Sequence, residues 1–127
     1  MVKGIGIDLV EVQQFRAKLT DELVNELFTE SEIEYCRSQV RYWENFAARF
    51  AAKEATFKAL GKGLSAGLRF KDVEVVKNME TGAVSIKLHR SALRAMEENS
   101  VSALSVSLSH TRQSAIAVVI AETSGTV

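Results

Sequence analysis

The chain has 127 residues, 16 acids against 16 bases, one cysteine and no proline. That length is one domain. The zero net charge speaks against a broadly basic nucleic-acid binder, and the missing proline excludes Pro-rich linkers and collagen-like repeats.

Residues 2–10 are β-branched and punctuated by glycine, which predicts a strand with Asp8 near its end. Residues 11–27 place Val12, Phe15, Leu19, Leu23, Val24 and Leu27 at helical spacing, with a break near Thr20-Asp21 where Thr20 can cap a second piece. Thr29-Glu30-Ser31-Glu32 has the form of a capping box and starts a short helix running to about Ser38. The clearest element is a helix over 42–60, rich in Ala, Lys, Arg, Glu and Phe, with Gly61 placed to end it. At roughly 1.5 Å per residue it reaches almost 30 Å, enough to cross the domain. Phe46, Phe50, Phe57 and Leu60 form its expected apolar stripe, beside Ala47 and Ala51.

A glycine-rich loop follows over 61–67. Residues 72–77 and 83–88 predict a strand pair, 91–98 a short helix, and 103–109 and 115–121 two more strands turning at His110. The order is β-α-α-α-β-β-α-β-β, an α+β domain of antiparallel, hairpin-linked strands packed on the long helix. The domain is expected over 1–122, with 123–127 a flexible tail. No apolar run reaches the ~18 residues of a membrane span. The short N-terminal run, interrupted by Asp8 and Glu11, does not read as a signal peptide. With only Cys36 available, no intrachain disulfide can form, and a reduced cytoplasmic setting is expected.

The zero charge hides a segregation. Residues 19–35 hold six acids and no base, and residues 36–71 hold eight bases and two acids. One reading is solvated faces that pair with each other. The other is a local anion site on the long helix.

Phe46, Phe50 and Glu54 step by four and share a face, so Glu54 is a carboxylate at the core margin. Lys58, four further on, can make an ordinary helical pair with it. Lys53, Lys58 and Lys62 can equally serve the helix C-terminus as dipole partners. Asp8 closes the stretch G-I-G-I-D, which lacks the third glycine of a dinucleotide fingerprint and is followed by no phosphate loop. By itself Asp8 can cap a turn or bind metal. Cys36 lies among acids and reads as inert. No serine-hydrolase elbow and no zinc-type Cys/His spacing is present. His89 has no evident partner, and His110 at a strand end is open to a structural or a catalytic role.

Five stretches in order carry a resemblance: G-I-G-I-D-L-V-E at 4–11, F-T-E-S-E at 28–32, F-A-A-R-F-A-A-K-E-A-T-F-K-A-L-G-K-G at 46–63, K-D-V-E-V at 71–75 and S-L-S-H-T at 107–111. Together they resemble holo-acyl-carrier-protein synthase, the short bacterial class of 4′-phosphopantetheinyl transferase. The resemblance implies transfer of the phosphopantetheine arm of coenzyme A to a serine of apo acyl carrier protein, in fatty acid biosynthesis, with adenosine 3′,5′-bisphosphate as the other product. It implies magnesium held by Asp8 and Glu54, and Lys58 on the pyrophosphate, with all three in the catalytic set. It further implies contacts to coenzyme A from Lys62, Gly63, Arg49 and His110, and a homotrimer with active sites between neighbouring subunits.

Two departures stand out. Gln14 replaces an arginine the family commonly carries on its first helix, leaving Arg16 and Lys18 as candidates for docking the carrier protein. The hairpin reads Gly82-Ala83-Val84 where the family often has Gly-Lys-Pro. The alternatives are a non-catalytic trimeric module that binds coenzyme A or a nucleotide, and a transferase dedicated to a polyketide-type carrier.

Overall fold

The structure is a computed structural model, and it describes residues 1–61 and 67–124. Strand β1 (Val2–Glu11) leads into helices α1 (Val12–Lys18), α2 (Asp21–Leu27), α3 (Glu30–Arg37) and α4 (Tyr42–Leu60). A 3-10 turn at Phe70–Asp72 precedes β2 (Val73–Lys77) and β3 (Val84–Leu88), and α5 (Arg90–Glu98) precedes β4 (Ala103–His110) and β5 (Ser114–Glu122). The expected order and α+β class are those found, with the first helical stretch broken as anticipated. Thr20 makes the break by accepting a hydrogen bond from the Leu23 amide at 3.1 Å. The capping box also forms: the Glu32 amide donates to Thr29 Oγ1, and the Thr29 amide donates to Glu32 Oε1 at 2.9 Å. Gly61 ends α4 in the left-handed conformation, φ 67°.

The strands form an antiparallel three-stranded sheet, β1-β5-β4, and an antiparallel pair, β2-β3. Helix α4 packs across β1, β5, β4 and β2, with α1 and α3 against its flank. It is not the one-striped helix its sequence suggests. Besides Phe46 and Phe57, Ala48, Ala52, Ala55 and Ala59 are buried, and so are Glu44, Arg49 and Lys53.

Lys53 corrects the dipole reading of that residue. Its ammonium is fully buried and donates to Glu32 Oε1 at 2.7 Å and to the carbonyls of Phe70 and Val73. Burial pushes the Lys53 ammonium toward deprotonation and the Glu32 carboxylate opposes this. Glu32 accepts the Val75 amide as well, at 3.0 Å. One buried pair therefore ties α3, α4 and β2 together, and the acidic segment is not wholly a solvated face.

Close approach of β1 to α4 is what positions the site. Along β1 the even-numbered residues face the helix. Two of them are Gly4 and Gly6, and a Cβ on either would collide with the carbonyl oxygens of Ala59 and Ala55. Small residues on both sides bring the two backbones together. Asp8 is the next inward residue, and the first of the three with a side chain.

Candidate active site

Asp8 on β1 and Glu54 and Lys58 on α4 converge on one cavity of about 680 Å³. Its apolar wall includes Phe15, Leu23, Leu27, Phe50 and Phe70. The phenylalanine rings form a chain, with centroids 5.2 Å apart for Phe15–Phe50 and 5.4 Å for Phe50–Phe70. Gln14, Lys18 and Glu26 complete part of the rim.

The polar end has a definite arrangement. Lys58 Nζ lies 3.2 Å from Asp8 Oδ1 and donates to the Ile7 carbonyl at 2.9 Å. The simple i,i+4 reading of Glu54 and Lys58 is therefore displaced by a contact between elements. Glu54 is half-buried, and burial first, then the Asp8 charge, raises its carboxyl above the ordinary value, with Lys58 opposing. At this end Asp8, Glu54 and the exposed Lys58 ammonium face a partly apolar cavity that Glu11, Glu26 and Lys18 also line. Among the described residues, no group of three or more His, Cys, Asp or Glu side chains is placed to hold a metal ion. A two-carboxylate set suits an ion that takes its remaining oxygens from substrate and water.

Other sequence candidates lie apart. Arg49 is buried on another face of α4, its guanidinium carbon 4.4 Å above the Tyr35 ring, beside a pocket of about 150 Å³ that also meets Lys77. Its Nε has no hydrogen-bond partner among the described residues. His110, at the end of β4, contacts Glu44 rather than the cavity. Lys62 and Gly63 lie outside the described residues. Of the two docking candidates, Lys18 lines the cavity, whereas Arg16 lies over the Trp43 ring at 3.6 Å.

Cys36 is fully buried and its thiol is pushed up to about 12, by burial first; Arg49 opposes this and Glu32 adds to it. The expected inertness holds, with burial rather than acidic neighbours as the main cause. Sequence reasoning missed Glu44, whose place in the first turn of a helix is ordinary for an acid. It also missed the partner of His89, which is Glu74 at 3.0 Å.

A sequence model described as the 4′-phosphopantetheinyl transferase superfamily matches residues 4–119. The holo-[acyl-carrier-protein] synthase of Geobacter sp. (strain M21) is 42% identical over 125 residues, covering 96% of this chain and 99% of that protein. The crystal structure of the Neisseria meningitidis holo-[acyl-carrier-protein] synthase superposes with a TM-score of 0.85 at 26% identity, covering 96% of this chain and 99% of that one. That of the Helicobacter pylori synthase in complex with coenzyme A superposes with a TM-score of 0.80 at 30% identity, over 93% and 99%. The matched span runs through β1, α4 and the last strand pair, the elements bearing Asp8, Glu54, Lys58 and His110, and the chain belongs to the holo-[acyl-carrier-protein] synthase family of the 4′-phosphopantetheinyl transferase superfamily.

Proposed function

We propose that the chain transfers the 4′-phosphopantetheine group of coenzyme A to a serine of apo acyl carrier protein. The reaction is magnesium-dependent, releases adenosine 3′,5′-bisphosphate and serves fatty acid biosynthesis. The observation that carries this reading is the convergence of Asp8, Glu54 and Lys58 on one cavity. The coenzyme A bound to the Helicobacter pylori relative supports the donor.

The serine Oγ attacks the pantetheine-side phosphorus of the pyrophosphate, and the bond to the bisphosphate oxygen breaks. Lys58, exposed and already turned into the cavity, holds a pyrophosphate oxygen by charge and hydrogen bonding. Glu54, a half-buried carboxylate at the polar end of the cavity, is one group that can take the serine proton. Asp8 and Glu54 fit a magnesium ion, because they are hard oxygen donors whose mutual repulsion a divalent cation relieves. Bound there, the ion would offset the charge on the dividing pyrophosphate. Positioning and electrostatics do the rest.

The transferase domain spans 1–122 in this reading, and Thr123 beyond it exchanges hydrogen bonds with Met1 at 2.9 and 3.0 Å. A homotrimer is supported by the outer face of the β1-β5-β4 sheet, where Ile5, Ile7 and Leu9 are 63%, 54% and 63% exposed beside Ile116. Arg49 and His110 lie off the cavity of their own chain, which suits coenzyme A contacts made to a neighbour's site; Lys62 and Gly63 belong to the coenzyme A-binding set by the family resemblance alone. Lys18 at the cavity rim docks the acidic carrier, with Arg16, held over the Trp43 ring, as the second basic group on α1. Among the described residues no helix is long and apolar enough to cross a membrane, and a chain whose single cysteine is buried has no need of an oxidising compartment, which suits a cytoplasmic setting.

Turnover against fatty-acid and polyketide-type carriers tests the reading. Faster modification of the fatty-acid carrier is expected. Preference for the polyketide carrier would reassign the pathway. Coenzyme A binding without transfer to either would leave only a binding module.

A further inference from the structure

Glu44 stands third in the first turn of α4, after Tyr42 and Trp43. An acid at that position commonly folds back onto the amide of the capping residue. Here no side chain caps the helix at Arg41. The Glu44 carboxylate is turned across the fold instead, and its Oε1 lies 3.0 Å from Nδ1 of His110 at the end of β4. Its Oε2 is 3.7 Å from Arg41 Nε. The Glu44 side chain is 5% exposed, so this carboxylate is held in place, while the His110 ring is 34% exposed. Among the described residues the ring makes no hydrogen bond through Nε2.

A carboxylate only accepts hydrogen bonds, so the hydrogen of this contact sits on Nδ1. That choice fixes both the plane and the tautomer of the ring. Nε2 is left facing outward as the one nitrogen free to meet a ligand. When the ring is charged, Nε2–H points at an incoming anion, and the buried carboxylate behind it offsets the ring's charge. In the neutral ring Nε2 carries a lone pair instead and cannot donate to a phosphate oxygen, so the contact belongs to the charged ring.

We infer that Glu44 is a positioning residue for coenzyme A recognition: it orients His110 so that Nε2 meets a phosphate oxygen of the ligand. The inference rests on the proposed contact between His110 and coenzyme A. Glu44 itself does not touch the ligand and takes no part in breaking the pyrophosphate. Its loss therefore raises KM for coenzyme A and leaves kcat at saturating coenzyme A close to that of the wild type.

The test is a double-mutant cycle on the full chain. Coenzyme A is titrated calorimetrically into the wild type, Glu44→Gln, His110→Ala and the double variant. His110→Ala is expected to weaken binding roughly tenfold, the scale of one lost hydrogen bond to a charged group. Glu44→Gln is expected to weaken it several-fold, and to add nothing in the His110→Ala background. Unchanged binding by His110→Ala would remove the underlying contact and the inference with it. A normal effect of His110→Ala with none from Glu44→Gln, or with an equal effect of Glu44→Gln in both backgrounds, would overturn the inference alone. Nitrogen-15 NMR of the wild-type ring supplies a reading independent of how well Glu44→Gln folds. In the neutral ring Nδ1 is expected to carry the hydrogen, and a neutral ring protonated at Nε2 would overturn the inference.

Discussion

Glu54 is an unfavourable residue where it stands, half-buried and next to the charge of Asp8. Its carboxyl is raised above the ordinary value of 4.5, so the folded state binds its proton more tightly than the unfolded chain does. Stability from this group therefore falls as pH rises from 4.5 through the raised value. Glu54→Gln is predicted to remove most turnover and, without metal, to melt above the wild type at pH 7 but not at pH 4. Magnesium is predicted to raise the melting temperature of the wild type and not of the variant. Equal melting curves with and without magnesium would argue against the metal role. Glu74 has the opposite sign. Burial pushes it up, but hydrogen bonds from Ser31, His89 and Thr29 outweigh that and hold it at about 2. Its contribution is complete above 4.5 and is lost as pH falls toward 2. Acid melting of Glu74→Gln should accordingly be shallower than that of the wild type across this range. The identities of Asp8, Glu54 and Lys58 were legible as residue types at motif spacing. Their partners were not: Lys58 reaches a strand fifty residues away, Lys53 finds Glu32, and Glu44 finds His110. Such contacts depend on which elements lie side by side, and local spacing does not carry that.

Elements were easier to read where their ends carry chemistry. Thr20, the Thr29–Glu32 box and Gly61 each announce a helix boundary through a local hydrogen bond or a left-handed residue, and the structure keeps all three. The burial of α4 was less legible. Its alanines resemble simple helix formers, yet they are the surface on which β1 lies. Gly4 and Gly6 permit close backbone approach by their residue type alone, and in the fold they set the distance between Asp8 and the helix. Gly6→Ala forces the Ala55 carbonyl and β1 apart. Overpacking of this kind costs about 1–3 kcal/mol. Chemical denaturation should register that loss, and turnover should fall beyond what the lower folded fraction explains, because Asp8 moves with its strand. Unaltered activity at a folded Gly6→Ala would mean that the β1–α4 spacing does not set the site.

At the scale of the molecule, the charges that cancel in sequence stay separated in space only in part. Glu32 and Lys53, one from each charged segment, neutralise each other in the interior, while Lys18 and Lys58 remain at the cavity. The sheet divides similarly into an inner face on α4 and an outer face bearing Ile5, Ile7 and Leu9. Alternation along a strand marks two faces but does not tell which one a partner covers. If the chain assembles as the proposed trimer, Ile7→Lys shifts it toward monomer in sedimentation velocity and lowers turnover with it; a fully active monomer would refute shared active sites. The account as a whole stands on transfer chemistry at the Asp8–Glu54–Lys58 cavity. Its most direct test is the intact mass of an apo acyl carrier protein after incubation with coenzyme A, magnesium and either the wild-type chain or Glu54→Gln. The account predicts a gain of one phosphopantetheinyl group with the wild type and little or none with the variant. No gain with the wild type, or an equal gain with both, would contradict it.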